Sequence, residues 1–132
     1  MSSANLPDDE EAIALNPYVF VRDEGEFKEA RPGFRRRIFT GSDVMLCFWR
    51  IKEGSGPTPY DNHPDNEQFG IILAGKLDFR IGSDERHLLG PGDVYWAPKG
   101  TDHGDSLFIG DPEHGETWIL DLFVPPREDY RE

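Results

Sequence analysis

Two polar segments hold the residues of this chain that are best suited to chemistry. Asp61 and His63 precede Gln68 in the first segment, and His103 ends the second. Successive side chains of a strand point to opposite faces, so Asp61 and His63 can share one face. Two imidazoles, a carboxylate and an amide oxygen suit a divalent ion such as Fe, Mn, Ni, Co or Zn. The residue types and their spacing therefore predict a metal site made of Asp61, His63, Gln68 and His103.

The composition favours one domain of short strands. The chain has 132 residues, and its 14 Gly and 11 Pro lie between short apolar runs, which leaves little room for long helices. The formal net charge of -12 would repel nucleic acids and anionic membranes, so neither is expected as a partner. The first residues lack a basic start and an apolar stretch, and no segment could span a bilayer. A cytoplasmic protein is therefore expected.

The distribution of β-forming residues predicts an all-β fold. Runs bounded by Gly, Pro, Asn and Asp predict about nine short strands, arranged as a sandwich or barrel. One of these strands is expected at residues 18–22. Residues 1–16 are predicted to form a polar tail with one helical turn at 8–15, and residues 17–132 to form a single domain.

Glycine-containing turns connect the predicted strands. Strands at 69–73 and 76–81 flank Gly75, which predicts a hairpin at this point. Gly82 opens a further turn that leads into a strand at 86–89. The polar segments of the predicted metal site lie before and after this group of strands, so the sheet must bring them together.

The second polar segment resembles a sequence motif of the cupin family. In that motif a glycine is followed by five residues, Pro-x-Gly, two residues and a histidine. Gly92, Pro98, Gly100 and His103 match it, whereas Leu107 stands where the motif has asparagine. The resemblance implies a single-domain double-stranded β-helix, also called a jelly-roll barrel, with a metal ion inside it.

The first polar segment resembles the other cupin motif in part. His63 matches its second histidine, and Gln68, six residues and Gly75 match its second half. Asp61 stands where the family usually has histidine. Asp61 therefore either ligates the metal, supports a residue that ligates the metal, or faces solvent. Gln68 keeps the family spacing to Gly75, and Glu67 is the alternative ligand.

One acidic residue interrupts the last apolar strand. Asp121 lies within residues 118–124, which are otherwise apolar or aromatic, and it shares a strand face with Phe123. Burying an unpaired carboxylate costs several kcal/mol. Asp121 therefore has a partner, lines a cavity or faces outward. In one interpretation it pairs with an arginine such as Arg37 and only stabilises the barrel.

The end of the chain resembles a particular cupin subgroup. Members of this subgroup act in pectin and alginate breakdown and open unsaturated uronate monomers to linear keto acids. The resemblance rests on residues 121–130 and on the Glu67-Gln68 pair. It implies that Asp121 moves protons, that Phe123 walls the pocket and that Arg127 holds the carboxylate of the substrate.

Together these features predict a metal-dependent enzyme of the lyase, isomerase or ring-opening type, acting on a small polar or acidic metabolite. Three alternatives remain: a non-catalytic module that binds a small molecule, a non-haem iron dioxygenase, and a structural barrel that has lost its metal site. Edge strands and outer apolar residues such as Trp49 or Trp118 favour a homodimer.

Overall fold

Short alternating runs between Gly and Pro turns form ten strands in the computed structural model, which describes residues 16–131. Two short 3-10 turns, Glu24–Glu26 and Glu128–Tyr130, flank the strands. The strands are β1 (Lys28–Arg31), β2 (Phe34–Thr40), β3 (Met45–Lys52), β4 (Tyr60–Asp61), β5 (Glu67–Ala74), β6 (Lys76–Ile81), β7 (Arg86–Leu89), β8 (Val94–Ala97), β9 (His103–Ile109) and β10 (Glu116–Val124).

The strands form two antiparallel sheets. The larger sheet has the order β1-β2-β3-β10-β5-β8, and the smaller one has the order β4-β9-β6-β7. This arrangement confirms the predicted all-β fold with a jelly-roll barrel. The predicted helical turn at 8–15, and the tail apart from Asn16, lie outside the described residues. None of the helices in the described part of the chain has the length and apolar character needed to cross a membrane.

Alternation along the strands decides which side chains face the interior. On β5, Gln68 and Ile72 are buried while Phe69 between them is exposed; on β10, Asp121 and Phe123 are buried. One apolar cluster fills the barrel at the end away from the polar segments. It contains Phe34, Ile51, Ile72, Leu77, Phe79, Phe108 and Ile119. A smaller cluster is formed by Met45, Cys47 and Phe123, and the buried polar residues Gln68 and Asp121 lie on strands beside it.

The hairpin predicted around Gly75 is wrong. β5 pairs with β10 and β8, whereas β6 pairs with β7 and β9, so the two strands belong to different sheets. Gly75 has a φ of 67° and is the corner where the chain crosses from one sheet to the other. The sequence shows the turn, but a glycine turn alone does not say whether the strands beside it pair.

Residues 18–22 do not form the predicted strand. Two contacts to side chains of the sheet anchor the segment instead: the Phe20 ring packs edge-on against Phe39, and the backbone carbonyl of Val21 accepts a hydrogen bond from the guanidinium of Arg37. A strand needs a neighbouring strand with free hydrogen-bonding groups, and this segment contacts the sheet through side chains. Trp49 and Trp118, which were expected on the outside of the barrel as residues that a second copy would cover, are in contact with other parts of the same chain. Trp49 lines the interior cavity, and the guanidinium of Arg22 lies 5.5 Å from the ring centroid of Trp118.

Alanine substitution at two glycines separates backbone strain from steric contact. Gly75 and Gly82 have φ values of 67° and 70°, but only at Gly75 would a Cβ meet other atoms, the nearest being the carbonyl oxygen of Ile109 at 2.6 Å. We expect Gly82→Ala to lower the unfolding free energy by about 1 kcal/mol. Gly75→Ala should lower it by about 2 kcal/mol more. Urea denaturation measures both, and equal losses would contradict the crowding at this corner.

Candidate metal-binding and catalytic site

A cavity of about 360 Å³ lies between the two sheets. This volume is within the range of about 300–1,000 Å³ that is usual for small-molecule sites. The cavity gathers side chains from the loop after β4 and from β5, β9 and β10, together with the segment after β10. All seven predicted site residues line it: Asp61, His63, Gln68, His103, Asp121, Phe123 and Arg127.

The two predicted histidine ligands lie side by side in this cavity. His103 is the first residue of β9, where it is paired with Asp61 of β4. His63 lies in the loop after β4, and the backbone N–H of Gly100 donates to its carbonyl oxygen over 3.1 Å. The centroids of the two imidazole rings are 5.2 Å apart. Pairing of β4 with β9 thus joins two segments that are 40 residues apart in the chain.

The hydrogen bonds of His103 define its tautomer. Its Nδ1 lies 2.9 Å from the carbonyl oxygen of Thr101, and its Nε2 lies 3.2 Å from Oε1 of Gln68. A carbonyl oxygen can only accept, so Nδ1 carries the proton. In the neutral ring Nε2 then has a free lone pair, which is directed at the amide oxygen of Gln68.

A chain of hydrogen bonds fixes the amide of Gln68 in the same way. Nε2 of Gln68 donates to the hydroxyl oxygen of Tyr95 over 2.7 Å, and that hydroxyl donates to Oδ1 of Asp121 over 2.9 Å. An ionised carboxylate can only accept, so Tyr95 gives its single proton to Asp121 and must accept from the amide. The amide oxygen therefore faces His103.

The resulting donor set fits a cation. The lone pairs of His103 Nε2 and Gln68 Oε1 meet at 3.2 Å with no proton between them when the ring is neutral. Two ligands about 2.1 Å from a metal and at right angles to each other lie about 3 Å apart, close to this separation. A cation, or a proton added to the ring, satisfies both atoms. Imidazole nitrogen and amide oxygen are also suitable ligands for the predicted divalent ions.

His63 lies in the same region, and the lone pair of its Nε2 is engaged by Arg127 in this structure. Nη1 of Arg127 lies 3.3 Å from its Nε2, and a guanidinium can only donate, so this nitrogen accepts. Burial, helped by the charge of Arg127 and by His103, lowers the pKa of His63 to about 4. The ring is therefore neutral at pH 7, which is the form that binds metals.

Asp61 lines the cavity but does not converge with the histidines. It is exposed, and its Oδ1 accepts from the backbone N–H of Asn62 over 2.8 Å. No choice of one ligand atom from each of Asp61, His63 and His103 places all three within 4.8 Å of one another. Among residues 16–131, the His, Cys, Asp or Glu group that meets this distance is at the surface: Asp111, Glu113 and His114.

The two candidates at the end of the first segment point in opposite directions. Glu67 accepts from the indole N–H of Trp96 over 2.7 Å on the outer face, whereas the buried side chain of Gln68 points into the cavity. Neighbouring residues of one strand must diverge in this way. The geometry therefore favours Gln68 over Glu67 for any role inside the barrel.

Asp121 is a buried acid without a direct arginine partner. Arg37 donates to the backbone of Val21, away from the cavity, so the suggested pairing with Asp121 is wrong. Asp121 accepts a hydrogen bond from Tyr95 and is also hydrogen-bonded by the side chains of Gln68 and Trp49. Burial raises the pKa of Asp121 to about 6, although the hydrogen bond from Tyr95 and the charge of Arg127 oppose this rise. Such a carboxyl group exchanges a proton readily near neutral pH.

Arg127 is held at the cavity by aromatic rings and an acid. Its guanidinium carbon lies 3.7 Å from the ring centroid of Tyr130, and its Nε donates to Asp129 over 3.0 Å. Phe123 is buried beside them, with its ring centroid 5.5 Å from that of Tyr130 and 6.4 Å from that of His63. These contacts hold the guanidinium of Arg127 at the edge of the cavity.

Tyr95 and Gly70 were missed by sequence reasoning. Tyr95 lies on β8 in a segment that contains a matched motif, but an aromatic residue on a strand is typical of a core position. Gly70 lies inside the strand predicted at 69–73 and was given no role. The sequence offered one clue to Gly70. It is two residues after Gln68 on the same strand, so both residues must face the same side of the sheet.

The chain is similar to known proteins in sequence and in fold. A family model described as the cupin domain matches residues 47–105. The pectin degradation protein KdgF of Dickeya dadantii (strain 3937) is 33% identical over 113 residues, covering 84% of this chain and 96% of that protein. The solved structure of KdgF from Halomonas sp. matches with a TM-score of 0.74 and 27% identity, covering 85% of this chain and 96% of that one.

A further solved structure shows that the fold is shared more widely. An RmlC-like cupin from Shewanella frigidimarina matches with a TM-score of 0.69 and 20% identity, over 80% of this chain and 88% of that one. The two antiparallel sheets around a polar cavity define a small jelly-roll barrel. The chain belongs to the cupin superfamily. Within it, the chain is similar to KdgF over nearly the whole length of that protein.

The raised pKa of Asp121 predicts a pH-dependent effect on stability. An unfolded aspartate has a pKa of about 3.9. Because the folded value is about 6, the stabilising contribution of the protonated acid is complete below pH 4 and is lost as the pH rises through 6. We expect Asp121→Asn to raise the unfolding free energy at pH 8 by on the order of 2 kcal/mol, with little gain at pH 4.

Urea denaturation at the two pH values measures this difference. The exposed Asp43→Asn variant provides the control, because its carboxylate lies in a surface turn. A gain for Asp121→Asn of the same size at both pH values would contradict the assigned environment of this acid.

Proposed function

We propose that this protein is a metal-dependent cupin enzyme that opens unsaturated uronate monomers to linear keto acids. The observation that carries the proposal is the meeting of three kinds of group in one cavity. These are the lone pairs of His63, Gln68 and His103, the buried acid Asp121, and the cationic fork of Arg127. The similarity to KdgF, which is named for pectin degradation, supports a substrate derived from an acidic polysaccharide.

In this proposal Arg127 recognises the carboxylate of the substrate. A planar guanidinium suits a carboxylate because it can donate two parallel hydrogen bonds. Its present acidic partner, Asp129, is largely exposed and can yield its place to a bound anion. Phe123 supplies an apolar wall close to Arg127, with the guanidinium 5.1 Å from its ring centroid. The sugar acid then lies between this wall and the polar end of the cavity.

His63, Gln68 and His103 would hold the divalent ion, and Asp61 is the candidate fourth ligand. His63 would ligate through Nε2, which requires that Arg127 turn from this nitrogen to the substrate carboxylate. When bound, such an ion supplies Lewis-acid polarisation of a substrate oxygen. Gln68 is a neutral ligand, so this set leaves more positive charge on the ion than a carboxylate would. The iron dioxygenase alternative requires Asp61 as the carboxylate ligand beside the two histidines, so it needs the same approach of Asp61 that a fourth ligand would need.

Asp121 is the group in the cavity suited to move the protons of ring opening. The hydroxyl proton at C1 leaves, the C1–ring oxygen bond breaks, and C1 becomes an aldehyde. The released ring oxygen is then part of an enol at C5, and a proton delivered to C4 converts the enol to a ketone. No atom is gained or lost, so one carboxyl group that accepts and returns a proton is sufficient. A pKa of about 6 suits both transfers.

A homodimer is part of the same proposal. β8 is an edge strand of the larger sheet, and its outer face exposes Val94 and Trp96 beside Phe69 of β5. The rings of Phe69 and Trp96 stack with their centroids 6.3 Å apart. Pairing two copies would cover these residues and the free edge. Light scattering at micromolar concentration should give about twice the 15.0 kDa mass of one chain, and a monomeric mass would exclude the dimer.

Turnover of unsaturated uronates tests the reaction. Opening removes the conjugated double bond, so ultraviolet absorbance should fall in the presence of the metal-loaded protein. We expect Arg127→Lys to raise KM about tenfold because the second parallel hydrogen bond is lost. Asp121→Asn should lower kcat at least about a hundredfold. Arg37→Lys, outside the cavity, is the matched control and should change neither constant. Metal-loaded protein that leaves these sugars intact would exclude the reaction and favour a binding module.

Metal binding tests the ligand set. Protein purified without added metal should contain a divalent metal when examined by mass spectrometry, and His103→Ala should remove it. If Asp61 ligates, Asp61→His should tighten Co²⁺ binding about tenfold, because imidazole is a stronger donor to such ions. The control is Asp65→His in the exposed turn. An unchanged dissociation constant for Asp61→His would remove Asp61 from the ligand set.

A further inference from the structure

Three residues form one row across the inner face of the larger sheet. Asp121 of β10 is paired with Gly70 of β5, and Gly70 is paired with Tyr95 of β8. Asp121 and Tyr95 are therefore two strands apart, which is about 9–10 Å between backbones. The side chain of the middle strand normally separates such residues, but the middle residue here is glycine.

The ring of Tyr95 occupies the space that a side chain at position 70 would need. A Cβ placed on Gly70 would lie 2.0 Å from Cε1 and 2.4 Å from Cζ of Tyr95. The ring thus lies across the backbone of β5, and its hydroxyl reaches between Asp121 and Gln68. The distances of 2.9 Å to Asp121 and 2.7 Å to Gln68 are those of well-formed hydrogen bonds.

We propose that Tyr95 is a positioning residue that sets which end of the Gln68 amide faces His103. The oxygen and NH₂ group of an amide have almost the same size, so packing alone cannot choose between them. The choice is made by hydrogen bonding. Tyr95 gives its proton to Asp121 and can then only accept, so it takes the NH₂ end of Gln68 and leaves the oxygen toward His103. The Asp121 carboxylate, which Gln68 also contacts, favours the same end.

The orientation matters because the two ends have opposite chemistry. The oxygen can bind a cation, whereas the NH₂ group would direct partial positive charge at it. This inference rests on the proposed function for its use of a metal, although the orientation itself exists without one. Gly70 is needed for the same arrangement, because any larger residue at position 70 would displace the Tyr95 ring.

The hydrogen bond that sets this orientation can be tested in the metal-free protein by nuclear magnetic resonance. The side-chain amide signals of Gln68 are assigned by their loss in Gln68→Glu. In the wild-type protein these protons should exchange slowly, because the amide is buried and donates to Tyr95. In Tyr95→Phe the exchange should be at least about tenfold faster. Tyr60→Phe removes a hydroxyl near the carbonyl of Ser83 and should leave the Gln68 signals unchanged.

Cobalt affinity then separates positioning from packing through a double-mutant cycle. Tyr95→Phe should weaken Co²⁺ binding about tenfold in the wild-type background. A carboxylate has two equivalent oxygens and cannot be misoriented, so Tyr95→Phe should change Co²⁺ affinity less than about twofold when combined with Gln68→Glu. Equal losses in both backgrounds would overturn the positioning role. Unchanged backbone spectra of Tyr95→Phe confirm that the variant folds.

The outcomes distinguish this inference from the proposed function. If the wild-type protein neither binds Co²⁺ nor opens uronates while the Gln68 signals still depend on Tyr95, the metal enzyme is excluded and the positioning role stands. If the Gln68 signals do not respond to Tyr95→Phe, the positioning role is overturned whatever the protein catalyses. Gly70→Ala provides a second variant, which should reproduce the faster exchange without removing any polar atom.

Discussion

The site depends on one unusual contact: two atoms with lone pairs face each other inside the barrel. His103 Nε2 and Gln68 Oε1 lie 3.2 Å apart, and neither can turn away without losing a hydrogen bond on its other side. The ring is held by the carbonyl of Thr101, and the amide is held by Tyr95. Two acceptor atoms held in this way cannot form a hydrogen bond with each other. A positive ion gives both atoms a partner, and the scaffold is therefore already arranged around a charge.

The sheet explains how this contact is maintained. β5 lies between β10 and β8, so its inward-facing residues are neighbours of Asp121 on one side and Tyr95 on the other. Replacing one inward side chain with hydrogen, at Gly70, lets groups on the outer strands of this trio touch. The proton-transfer candidate and the metal-ligand candidate are thus parts of one hydrogen-bonded network. Small movements of Tyr95 would affect both.

Much of the fold could be predicted from local patterns, and the polar residues of the cavity from metal-ligand spacing together with the family resemblance. Period-two alternation and Gly-Pro turns identified most of the strands, and the spacing around His103 identified one side of the site. What could not be predicted were properties that depend on which strands pair. The turn at Gly75 looked like a hairpin because the sequence does not state that β5 and β6 enter different sheets. Tyr95 acts two strands away from Asp121, a relationship that exists only after pairing.

The position of β10 has a consequence for how the protein is made. It follows every other described strand in the sequence, yet it lies between β3 and β5 in the middle of the larger sheet. During synthesis the chain emerges from its N-terminus onward, so β3 and β5 are available long before the strand that joins them. Until then both present unpaired edges, which invite association with other chains. A chain that ends before residue 116 would lack the strand that joins β3 to β5, so its larger sheet would be divided, and a chaperone that shields those edges would act at this stage.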